Sequence, residues 1–583
     1  MSTVRLSEFI KAYDVRGLVP EQLSARVARA IGMAFADLVV AGETDRTASA
    51  GELDGAGQRL PSGVVVGYDM RPSSPELAHA FAQGVASRGS DVTIIGLCST
   101  DGLYYASGAL DLAGAMFTAS HNPARYNGIK LCRSGARPVG QDSGLVQLTE
   151  VAQDLLDRGA ADAEPVDQAG RPVQVRAHRR GVVTERPMLA DYAGYLRGLV
   201  DLRGIRRLKV VVDAGNGMAG LTVPAVLGDL PLDVVPLYFE LDGTFPNHEA
   251  NPLDPANLLD LQRAVVDHRA DIGLAFDGDA DRCFVVDEHG RPVSPSAITA
   301  LVATREIAKH VAAGGRAGDV KIVFNVISSA AVPQIVAEHG ARPIRTRVGH
   351  SFIKARMAEA DAVFGGEHSA HYYFRDFWFA DTGMLAALHV LAALGEQTGP
   401  LSGLVAEFSR YAASGEINSR VARVDAALER VRAWARGREV DVDELDGVTV
   451  TARDVQMWWF NVRPSNTEPL LRLNVEAADE ATMCRIRDRV LALIRNGGPA
   501  GGAPAGVTQT LPLPGWLREI LVCPAGKHPL ADAVGPDGTS ELVCTQDCGT
   551  AGVRRAYRID DGIPILLVDE ARLVDATGAD GGM

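Results

Sequence analysis

Three stretches of this 583-residue chain repeat one order of elements, in which short apolar strands alternate with amphipathic helical segments and a last strand runs into a polar loop. The last strands end at Phe117, Phe276 and Phe364, and the loops that follow contain TASHN, DGDAD and GGEHS. Alternating strands and helices favour mostly parallel sheets covered by helices, with ligands at the carboxyl ends of the strands. The repetition therefore predicts three similar α/β domains with mixed or parallel sheets.

A fourth region follows a different pattern. From about Ser414 the sequence predicts a helix near 424–436, strands near 448–452, 457–462 and 470–475, and a helix to about 494. This grouping is typical of an α+β domain. Within the first three regions, further strands are predicted at 64–67, 92–97, 209–213, 234–239 and 321–325.

Segments rich in Gly, Ala, Asp and Pro separate these regions. Residues 41–63 and 159–186 are interpreted as surface loops or linkers, and 496–515 as a flexible linker. A small fifth unit follows, with a strand-like run at 563–568 and a frayed tail at 576–583. The predicted domains are 1–186, 187–298, 299–413 and 414–495, followed by the linker 496–515 and a last domain with its tail at 516–583.

Composition restricts the partners and the compartment. The chain is long enough for several cores, and its net charge of −15 without a basic stripe argues against a nucleic-acid surface. Seven scattered cysteines fit a reducing compartment better than a disulfide scaffold. The N-terminus has no signal-peptide pattern, and the longest apolar stretch, near 383–394, is too short to cross a bilayer. We expect a cytoplasmic protein that binds neither nucleic acid nor membrane.

The loop after the first of the three strands presents a serine. Residues 118–130 are TASHNPARYNGIK, in which Ser120 is followed by His121, Asn122 and Pro123. The pattern is typical of a nucleophile at the end of a buried strand, and it also fits a polar turn with an Asn-Pro break. Nothing local activates the hydroxyl, so the role of Ser120 depends on the rest of the chain.

The second loop places carboxylates at alternate positions, Asp277, Asp279 and Asp281, and ends with Arg282. Mg²⁺ takes a few carboxylates in proteins and leaves positions for a phosphate oxygen. An EF-hand calcium loop is excluded because no Glu stands at its twelfth position and the flanks are strand-like. An Asp-rich turn without metal is the alternative, and a metal site is the favoured interpretation.

The third loop, with its two glycines, offers donors and acceptors for sugar hydroxyls at Glu367, Ser369 and His371. Just before it, His350 and Lys354 lie one helical turn apart. Solvated loop residues and a structural histidine are the alternatives for these positions. Only their combination with the other loops favours a functional role.

A phosphate cradle is indicated in the fourth region, because Arg binds dianionic oxygen in bidentate fashion and small polar residues add donors. The candidate residues are Arg463, Ser465, Asn466 and Thr467, with Arg472 on the next strand. An early turn brings a second arginine, Arg16, together with Tyr13. Ordinary structural turns are the alternative at both places.

Taken in order, these loops resemble those of the α-D-phosphohexomutase family, and the stretch GGEHSAHYYF is most similar to its phosphomannomutase/phosphoglucomutase branch. The resemblance covers about residues 5–495. It implies a four-domain enzyme with one loop per domain facing a central cleft. The implied reaction moves a phosphoryl group between O6 and O1 of mannose or glucose phosphate through a hexose 1,6-bisphosphate, with Mg²⁺ as cofactor and glucose or mannose 1,6-bisphosphate as activator.

The resemblance also implies roles for individual residues. Ser120 is expected to be the phosphoserine and to lie beside Mg²⁺ held by Asp277, Asp279 and Asp281. The resemblance implies catalytic roles near the reacting hydroxyl for Arg16, Lys130, Arg282 and His350. It implies sugar contacts for Glu367 and Ser369, and contacts with the phosphate that is not transferred for Tyr13, Arg463, Ser465, Asn466 and Thr467. Beside these residues we also expect His121 to act in catalysis and Lys354, His371 and Arg472 to contact the substrate. The family usually has Gly where this chain has Ala370, which affects the backbone of the sugar loop.

The last domain resembles the small Trm112/UPF0434-type zinc-ribbon family, from LREILVCP through YRIDDGIPILLVDEAR. That family usually carries CPxC followed by CxxC, whereas here Gly526 takes the second position and the later pair is CTQDC. The candidate ligands for Zn²⁺ are therefore Cys523, Cys544 and Cys548, with His528 as a fourth. A metal-free domain held by its apolar core is the alternative. Binding of a protein partner, or stabilisation, is its expected role.

The chain is therefore expected to be a phosphohexomutase of the isomerase class, which interconverts mannose or glucose 6-phosphate and the 1-phosphate for nucleotide-sugar synthesis. Glucosamine or N-acetylglucosamine phosphate is an alternative substrate, because loop spacing does not exclude it. A non-catalytic sugar-phosphate-binding adaptor is a further alternative, and the intact serine and carboxylates argue against it.

Overall fold

The computed structural model of the chain describes residues 4–10, 14–40, 63–161, 180–453, 457–465, 470–495, 521–535, 540–548, 553–560, 563–566, 568 and 571–575. The chain forms two compact units, 1–497 and 498–583, and each is described by itself. The predicted linker 496–515 and tail 576–583 lie outside the described residues, as do 41–62 and 162–179 of the two predicted loops.

The first sheet of the larger unit has seven strands. They are β1 (Val15–Leu18), β2 (Gly63–Tyr68), β3 (Asp91–Leu97), β4 (Ala113–Phe117), β5 (Tyr126–Arg133), β6 (Arg137–Pro138) and β7 (Val183–Glu185). Their order is β1-β5-β4-β2-β3-β7, with β6 paired to β5. The helices of this region are α1 (Ala25–Phe35), α2 (Ser74–Ser87), α3 (Thr100–Leu110) and α4 (Leu145–Asp157).

Strand β7 corrects the interpretation of 159–186 as a loop or linker. Residues Val183–Glu185 pair in parallel with β3 at the edge of the sheet. All three side chains are exposed, so the segment carries no alternation of apolar and polar residues from which a strand could be predicted. Backbone hydrogen bonds to β3 are what define it as a strand.

Two five-stranded sheets follow. The second sheet has β8 (Leu208–Asp213), β9 (Leu232–Leu237), β10 (Ile272–Phe276), β11 (Cys283–Val286) and β12 (Pro292–Val293), in the order β12-β11-β10-β8-β9. The third sheet has β13 (Lys321–Asn325), β14 (Arg342–Thr346), β15 (Phe364–Gly366), β16 (Tyr372–Phe374) and β17 (Ala380–Asp381), in the order β14-β13-β15-β16-β17. Their helices are α5 (Leu189–Leu199), α6 (Ala219–Leu227), α7 (Leu259–His268), α8 (Pro295–Ala312), α9 (Ala331–Glu338), α10 (His350–Ala360), α11 (Gly383–Gly395) and α12 (Leu401–Ala406).

The first three sheets share one topological feature. In each, a strand of the parallel part ends in a polar loop and an antiparallel strand returns: β4 to β5, β10 to β11 and β15 to β16. Strands β4 and β10 are buried at every position, as expected for strands covered on both faces. The loops with TASHN, DGDADR and GEHS therefore occupy equivalent places, and the predicted α/β fold class is confirmed.

The fourth sheet is antiparallel throughout. Its strands are β18 (Ala412–Arg420), β19 (Val440–Asp443), β20 (Val448–Ala452), β21 (Trp458–Pro464) and β22 (Leu470–Ala477), in the order β18-β22-β21-β20-β19. Helices α13 (Val424–Ala435) and α14 (Glu480–Arg495) belong to it. Single helical turns elsewhere in the larger unit are Leu6–Glu8, Ala36–Val40, Gln141–Ser143, Pro255–Leu258, Ala317–Asp319 and Arg375–Phe377.

The packing of the fourth sheet differs from that of the other three. One continuous apolar cluster includes core residues of the first three sheets, whereas the fourth sheet has a separate cluster of its own. Polar contacts join the fourth sheet to the third. The backbone N–H of Val348 donates to Asp446 Oδ2 at 2.8 Å, and that of Ala330 donates to Glu476 Oε2 at 2.9 Å.

The smaller unit contains one antiparallel sheet. Its strands are β23 (Leu530–Val534), β24 (Ser540–Cys544), β25 (Val553–Asp560), β26 (Ile563–Pro564) and β27 (Arg572–Asp575). The strand-like run predicted at 563–568 is shorter than expected, because in the described part of that run only Ile563–Pro564 forms a strand. Pro564 has no N–H to donate to a longer ladder. No helix among the described residues combines the length and apolarity needed to cross a membrane.

Candidate active site

Ser120 lies just beyond the buried end of β4. Its backbone has φ of +49°, in the left-handed region that non-glycine residues seldom adopt, and its N–H donates to Thr118 Oγ1 at 2.9 Å. The residue is 3% exposed. Its hydroxyl donates to Asp277 Oδ2 at 2.8 Å and lies 3.3 Å from Nδ1 of His121. The turn thus directs the serine hydroxyl at the aspartate loop of the second sheet.

Arg71 supports the serine loop, residues 118–126, through hydrogen bonds to its backbone. This residue was not predicted from the sequence. This fully buried side chain pairs with Asp69, 3.2 Å away. Its guanidinium donates to the backbone carbonyl oxygens of Ser120, Asn122, Pro123 and Tyr126, at 2.9, 2.7, 3.1 and 3.0 Å. The only sequence signal is an Asp-x-Arg at the end of β2, which does not reveal a target some 50 residues further on.

The three aspartates of the second loop converge. One carboxylate oxygen from each of Asp277, Asp279 and Asp281 lies within 4.8 Å of the others, and all three residues are at most 1% exposed. Asp279 Oδ1 and Asp281 Oδ1 are buried and have no hydrogen-bond partner in the part of the chain that the structure describes. Buried carboxylate oxygens are normally paired. The donor set, with two oxygens that accept no hydrogen bond, therefore fits a hard divalent cation such as Mg²⁺.

The aspartate loop passes very close to Ser120. A Cβ on Gly278 would lie 2.5 Å from the carbonyl oxygen of Ser120, which excludes any larger residue without movement of one loop. From the other side, Thr100 Oγ1 donates to Asp279 Oδ2 at 2.6 Å. Thr100, at the start of α3, is a second contact residue that the sequence analysis did not identify.

Lys130, on β5, balances the aspartate charges. Its Nζ lies 2.7 Å from Asp279 Oδ2 and 2.5 Å from Asp281 Oδ2. Burial lowers the pKa of Lys130, but the two carboxylates outweigh burial and raise it well above its usual value. Burial raises the pKa of Asp279, but Lys130 outweighs it and holds that pKa well below its usual range. Lys130 is therefore a charged partner of the aspartate loop.

Arg282 connects Asp277 with the serine. Its Nη2 donates to Asp277 Oδ2 at 2.6 Å and to His121 Nδ1 at 2.6 Å, and lies 3.4 Å from Ser120 Oγ. Burial, followed by the charges of Arg282 and Arg16, lowers the pKa of His121 well below its usual value, so its imidazole is neutral. Burial raises the pKa of Asp277 to about 7, although Arg282 opposes the shift.

Arg16 reaches the serine loop from β1. Its Nη1 donates to the carbonyl oxygen of Ala119 at 2.9 Å and to the side-chain oxygen of Asn122, while its Nε pairs with Asp14 at 2.9 Å. Tyr13 lies outside the described residues. The structure therefore brings Arg16 to the phosphoserine candidate and gives no geometry for its predicted neighbour.

The sugar loop, residues 367–371 after β15, meets the aspartate loop, residues 277–282, at His371. Arg282 and His371 form an isolated antiparallel bridge, and His371 Nε2 lies 3.7 Å from Asp281 Oδ1. Ser369 Oγ is 3.0 Å from His371 Nδ1. Ala370 has φ of +64°, a left-handed conformation that a methyl group disfavours. The backbone of this loop thus adopts the form that Gly favours, although the chain has Ala there.

Glu367 is held by donors from three segments. Its carboxylate accepts from Asn325 Nδ2 at 3.2 Å, from the N–H of Gly349 at 3.0 Å and from the hydroxyl of Tyr373 at 2.7 Å. It is 2% exposed. Its orientation is therefore fixed before any sugar binds.

His350 and Lys354 lie on the first turns of α10. Lys354 Nζ lies 2.5 Å from Asp381 Oδ1 and 4.1 Å from the ring centroid of Tyr104, and the residue is 3% exposed. Burial, and then the charge of Lys354, lowers the pKa of His350 to about 4. The structure therefore gives Lys354 a buried ion pair, and His350 is neutral at physiological pH.

The predicted phosphate cradle forms a second cluster, on the fourth sheet. Arg463 and Arg472 stand directly opposite each other on β21 and β22. Arg472 Nη2 lies 3.4 Å from Ser465 Oγ, and Arg463 Nη1 donates to Asn474 Oδ1 at 3.1 Å. Asn466 and Thr467 lie outside the described residues. Two guanidinium groups and a hydroxyl are thus gathered at one end of this sheet.

In the smaller unit, the Sγ atoms of Cys523, Cys544 and Cys548 lie within 4.8 Å of one another and are buried. Gly526 N–H donates to Cys523 Sγ at 3.3 Å. Burial raises the pKa of the Cys523 thiol, but hydrogen bonds from Tyr557 and Gly526 outweigh it and lower it to about 7. A Cβ on Gly526 would lie 3.1 Å from Cys548 Sγ and 2.9 Å from Cδ2 of His528. The structure groups the three thiols but does not bring a ring nitrogen of His528, the predicted fourth ligand, into that group.

Comparison with known proteins defines the class. Four domain families of phosphoglucomutase/phosphomannomutase match in order: alpha/beta/alpha domain I at 8–150, domain II at 190–290, domain III at 295–411 and the C-terminal domain at 416–493. Together with the three-aspartate loop and the adjacent serine, these matches define an intramolecular phosphotransferase of the isomerase class, a phosphohexomutase.

Individual relatives agree. A phosphohexose mutase of Xanthomonas campestris pv. campestris is 38% identical over 490 residues, which are 84% of this chain and 99% of the relative. A phosphomannomutase of Escherichia coli K12 is 36% identical over 496 residues, covering 83% and 98%. The crystal structure of a phosphoglucomutase/phosphomannomutase family protein from Burkholderia thailandensis is 29% identical with a TM-score of 0.69, covering 85% of this chain and 99% of that one.

The chain belongs to the phosphoglucomutase/phosphomannomutase family, and these relatives support phosphomannomutase/phosphoglucomutase activity on hexose phosphates. The predicted family, enzyme class and activity are confirmed. The superfamily is magnesium-dependent, and the acidic cluster of the second loop is suited to that ion. The resemblance of the last domain to the zinc-ribbon family stays a prediction.

Proposed function

We propose that this enzyme moves a phosphoryl group reversibly between O6 and O1 of mannose or glucose phosphate, with Ser120 as the phosphoryl carrier. The observation that carries the proposal is the position of Ser120 Oγ, 2.8 Å from Asp277 Oδ2, at the edge of a cluster of three buried carboxylates. A serine ester there lies beside the guanidinium of Arg282, 3.4 Å from Oγ, which reduces the cost of its negative charge.

The reaction proceeds by two transfers. A sugar hydroxyl oxygen attacks the phosphorus of phosphoserine 120, a new P–O bond to the sugar forms, and the bond from phosphorus to Oγ breaks. The hydroxyl proton passes to a base. The hexose 1,6-bisphosphate then turns around, and Oγ of Ser120 attacks the phosphorus of its other phosphate. The bond from that phosphorus to Oγ forms, the P–O bond to the sugar breaks, and the sugar oxygen takes back the proton. The product carries its single phosphate at the opposite end.

Lys130 is our candidate for the group that handles the sugar's proton. Its raised pKa follows from Asp279 and Asp281. Mg²⁺ held by Asp277, Asp279 and Asp281 would neutralise carboxylate charge and stabilise the phosphoryl group. With the charge of those carboxylates compensated, the Lys130 ammonium would lose its proton more readily.

Arg282 and His121 act as a pair in this proposal. Arg282 Nη2, 3.4 Å from Ser120 Oγ, stabilises negative charge on the departing oxygen. Neutral His121 accepts from the same nitrogen and fixes its direction. Arg16 shapes the loop through Ala119 and Asn122.

The remaining candidates contact the substrate. We propose that Glu367 and Ser369, with His371 beside them, bind sugar hydroxyls, and that the phosphate that is not being transferred binds to Arg463, Ser465 and Arg472. We keep the catalytic role predicted for His350. We also keep the substrate contacts predicted for Lys354, Tyr13, Asn466 and Thr467. Glucose or mannose 1,6-bisphosphate serves as activator by rephosphorylating Ser120.

The test is the full-length Ser120→Ala variant, with Ser134→Ala, in a surface turn, as the matched control. We expect no turnover of mannose 1-phosphate and no phosphate on the intact chain by mass spectrometry, while the control keeps both. Turnover by Ser120→Ala at the parent rate would sink the proposal. Parent enzyme that has been dephosphorylated should regain activity when glucose 1,6-bisphosphate is added.

For the smaller unit we propose a Zn²⁺ site formed by Cys523, Cys544, Cys548 and His528. Three thiols are buried together, and the pKa of one of them, Cys523, is lowered to about 7. Both observations support a metal site. Full-length protein expressed with added zinc should contain one zinc per chain by elemental analysis, and Cys523→Ser should lose it. Zinc-free parent protein with all thiols free would contradict the site.

We also propose that the enzyme is cytoplasmic and that its smaller unit binds a protein partner. None of the seven cysteines is in a disulfide, which supports a reducing compartment. Fractionation tests the location. Cross-linking of the full chain and of a chain that ends at residue 497 tests the partner, because a genuine partner is captured only by the full chain.

A further inference from the structure

One carboxylate holds both arginines of the phosphate cluster. Arg463 Nη2 donates to Glu416 Oε2 at 2.6 Å, and Arg472 Nη1 donates to Glu416 Oε1 at 3.0 Å. Each oxygen of Glu416 therefore occupies one guanidinium. This is the arrangement in which a phosphate would bridge the same two groups.

A β-bulge aims Glu416 at the arginines. The pairing of β18 with β22 shifts its register between Ala413 and Glu416, and Gly415 has φ of +67°. Ser414 Oγ accepts the N–H of Val475 at 3.0 Å, and so replaces a ladder bond that the bulge interrupts. Bulges of this kind redirect a side chain without ending the strand. The position of Glu416 is thus built into the backbone.

The charges explain why a carboxylate is needed there. Arg463 and Arg472 are directly opposite on neighbouring strands, and like charges in that relation repel. Arg463 is only 5% exposed, so water screens it little. Glu416 reduces the net charge of the cluster from +2 to +1.

The sugar loop lies within the field of the same cluster. Burial lowers the pKa of His368, and the charges of Glu416 and Arg463 act on it in opposite directions. A small cavity between the third and fourth sheets is lined by His368, Gly415 and Asn474, among other residues. Gly415, which precedes Glu416, and Asn474, which binds Arg463, thus share a cavity with His368 of the loop proposed to hold the sugar.

We propose that Glu416 is an internal counter-ion of the phosphate site, which occupies Arg463 and Arg472 when no phosphate is bound and weakens their hold on the phosphate that is not being transferred. The inference rests on the proposed function, in which these arginines bind that phosphate. A dianion that binds here must displace the carboxylate from at least one guanidinium or accept its repulsion. The free energy of that displacement or repulsion is lost from binding, so the affinity for the phosphate is lower.

A weakened hold is useful in this reaction. The 1,6-bisphosphate must leave the cluster with one phosphate and return with the other in every turnover. A counter-ion that takes back the arginines stabilises the empty cluster, and so lowers the free energy of the state through which the intermediate turns. Loss of the counter-ion should tighten binding and slow turnover.

The test compares Glu416→Gln with the parent as full-length enzymes. Glutamine keeps the size of the side chain and removes its charge. We expect the Kd for mannose 1-phosphate, measured calorimetrically, to fall about threefold to tenfold, and kcat to fall together with KM. Glu444→Gln is the matched control, because Glu444 pairs with Arg432 on the surface of the same region at 2.9 Å and should leave both constants unchanged.

Arg463→Gln separates this proposal from the function on which it rests. If Arg463→Gln leaves the Kd unchanged, the phosphate site itself is wrong. A second outcome is that Arg463→Gln weakens the binding of mannose 1-phosphate while Glu416→Gln binds it no more tightly than the parent does. In that case Glu416 serves to orient the arginines, and the counter-ion proposal is overturned. Inorganic phosphate supplies a second readout, since it should raise the unfolding temperature of Glu416→Gln more than that of the parent.

Discussion

Arg71 illustrates how one buried charge organises the loop that contains Ser120. A guanidinium that donates to four backbone carbonyl oxygens fixes the path of the chain around Ser120 more firmly than any single side-chain contact could. It also compensates Asp69, which is fully buried. The residue has no direct contact with the proposed reacting atoms, and its importance follows from the position that it gives to Ser120.

Replacing Arg71 by Met should therefore cost both stability and phosphorylation. Removal of one partner from a buried ion pair typically costs about 3–5 kcal/mol, because the other charge stays buried. We expect a lower unfolding temperature and little phosphate on Ser120 by intact mass. Arg203→Met, which removes an exposed pair with Asp201, is the control and should leave the unfolding temperature nearly unchanged. Normal phosphorylation in Arg71→Met would show that the loop forms without its guanidinium.

His350 should make the stability of the enzyme depend on pH. Its pKa in the folded chain is lowered from 6.5 to about 4, first by burial and then by Lys354. Between these two values the unfolded chain takes up a proton that the folded chain does not. The contribution of His350 is thus complete above pH 6.5 and is lost as the pH falls towards 4. Unfolding midpoints of His350→Asn should fall less between pH 7.5 and 5 than those of the parent; an unchanged slope would contradict this assignment.

At the scale of elements, strands and loops follow from local pattern, and the groups that join them do not. The apolar runs ending at Phe117 and Phe276 predict β4 and β10 because central parallel strands are buried on both faces. Glu416 was missed because its role depends on a bulge and on two other strands. The chain gives no local signal for contacts made between distant segments, such as that of Arg71 with Ser120.

The aspartate loop and the serine loop approach each other closely at Gly278. A methyl group there would lie 2.5 Å from the carbonyl oxygen of Ser120, so Gly278→Ala should push the aspartate loop and the serine loop apart. We expect mutase kcat/KM to fall at least about tenfold and the Mg²⁺ concentration for half-maximal activity to rise, with little loss of fold. Gly194→Ala is the control, because no atom lies within 4 Å of the added Cβ and the residue is within α5. That change should stabilise the protein by about 0.5–1 kcal/mol. Parent activity in Gly278→Ala would mean that the loops have room to separate.

At the scale of the whole molecule, the distribution of apolar cores separates a fixed part from an adjustable one. One apolar cluster joins residues of the first three sheets, although the first sheet also has a second cluster of its own, and this shared packing restrains the loops that follow β4, β10 and β15 relative to one another. The fourth sheet has its own core and meets the third through contacts such as Asp446 with Val348. Polar contacts of this kind are easier to break and remake than buried apolar surface. The phosphate cluster is therefore on the part best able to move.

The larger unit should be a complete mutase by itself. The Xanthomonas relative matches over 99% of its own length while covering 84% of this chain, so it has no counterpart to the smaller unit. Every candidate residue for phosphoryl transfer lies before residue 497, and that unit is compact. We expect a chain ending at residue 497 to keep kcat/KM for mannose 1-phosphate within about twofold of the full chain, since no group near the reaction is removed. Circular dichroism and the unfolding temperature serve as controls for folding. If a well-folded 1–497 chain loses activity, the smaller unit contributes to catalysis, and restoration by added 498–583 would identify that contribution as a contact between the units.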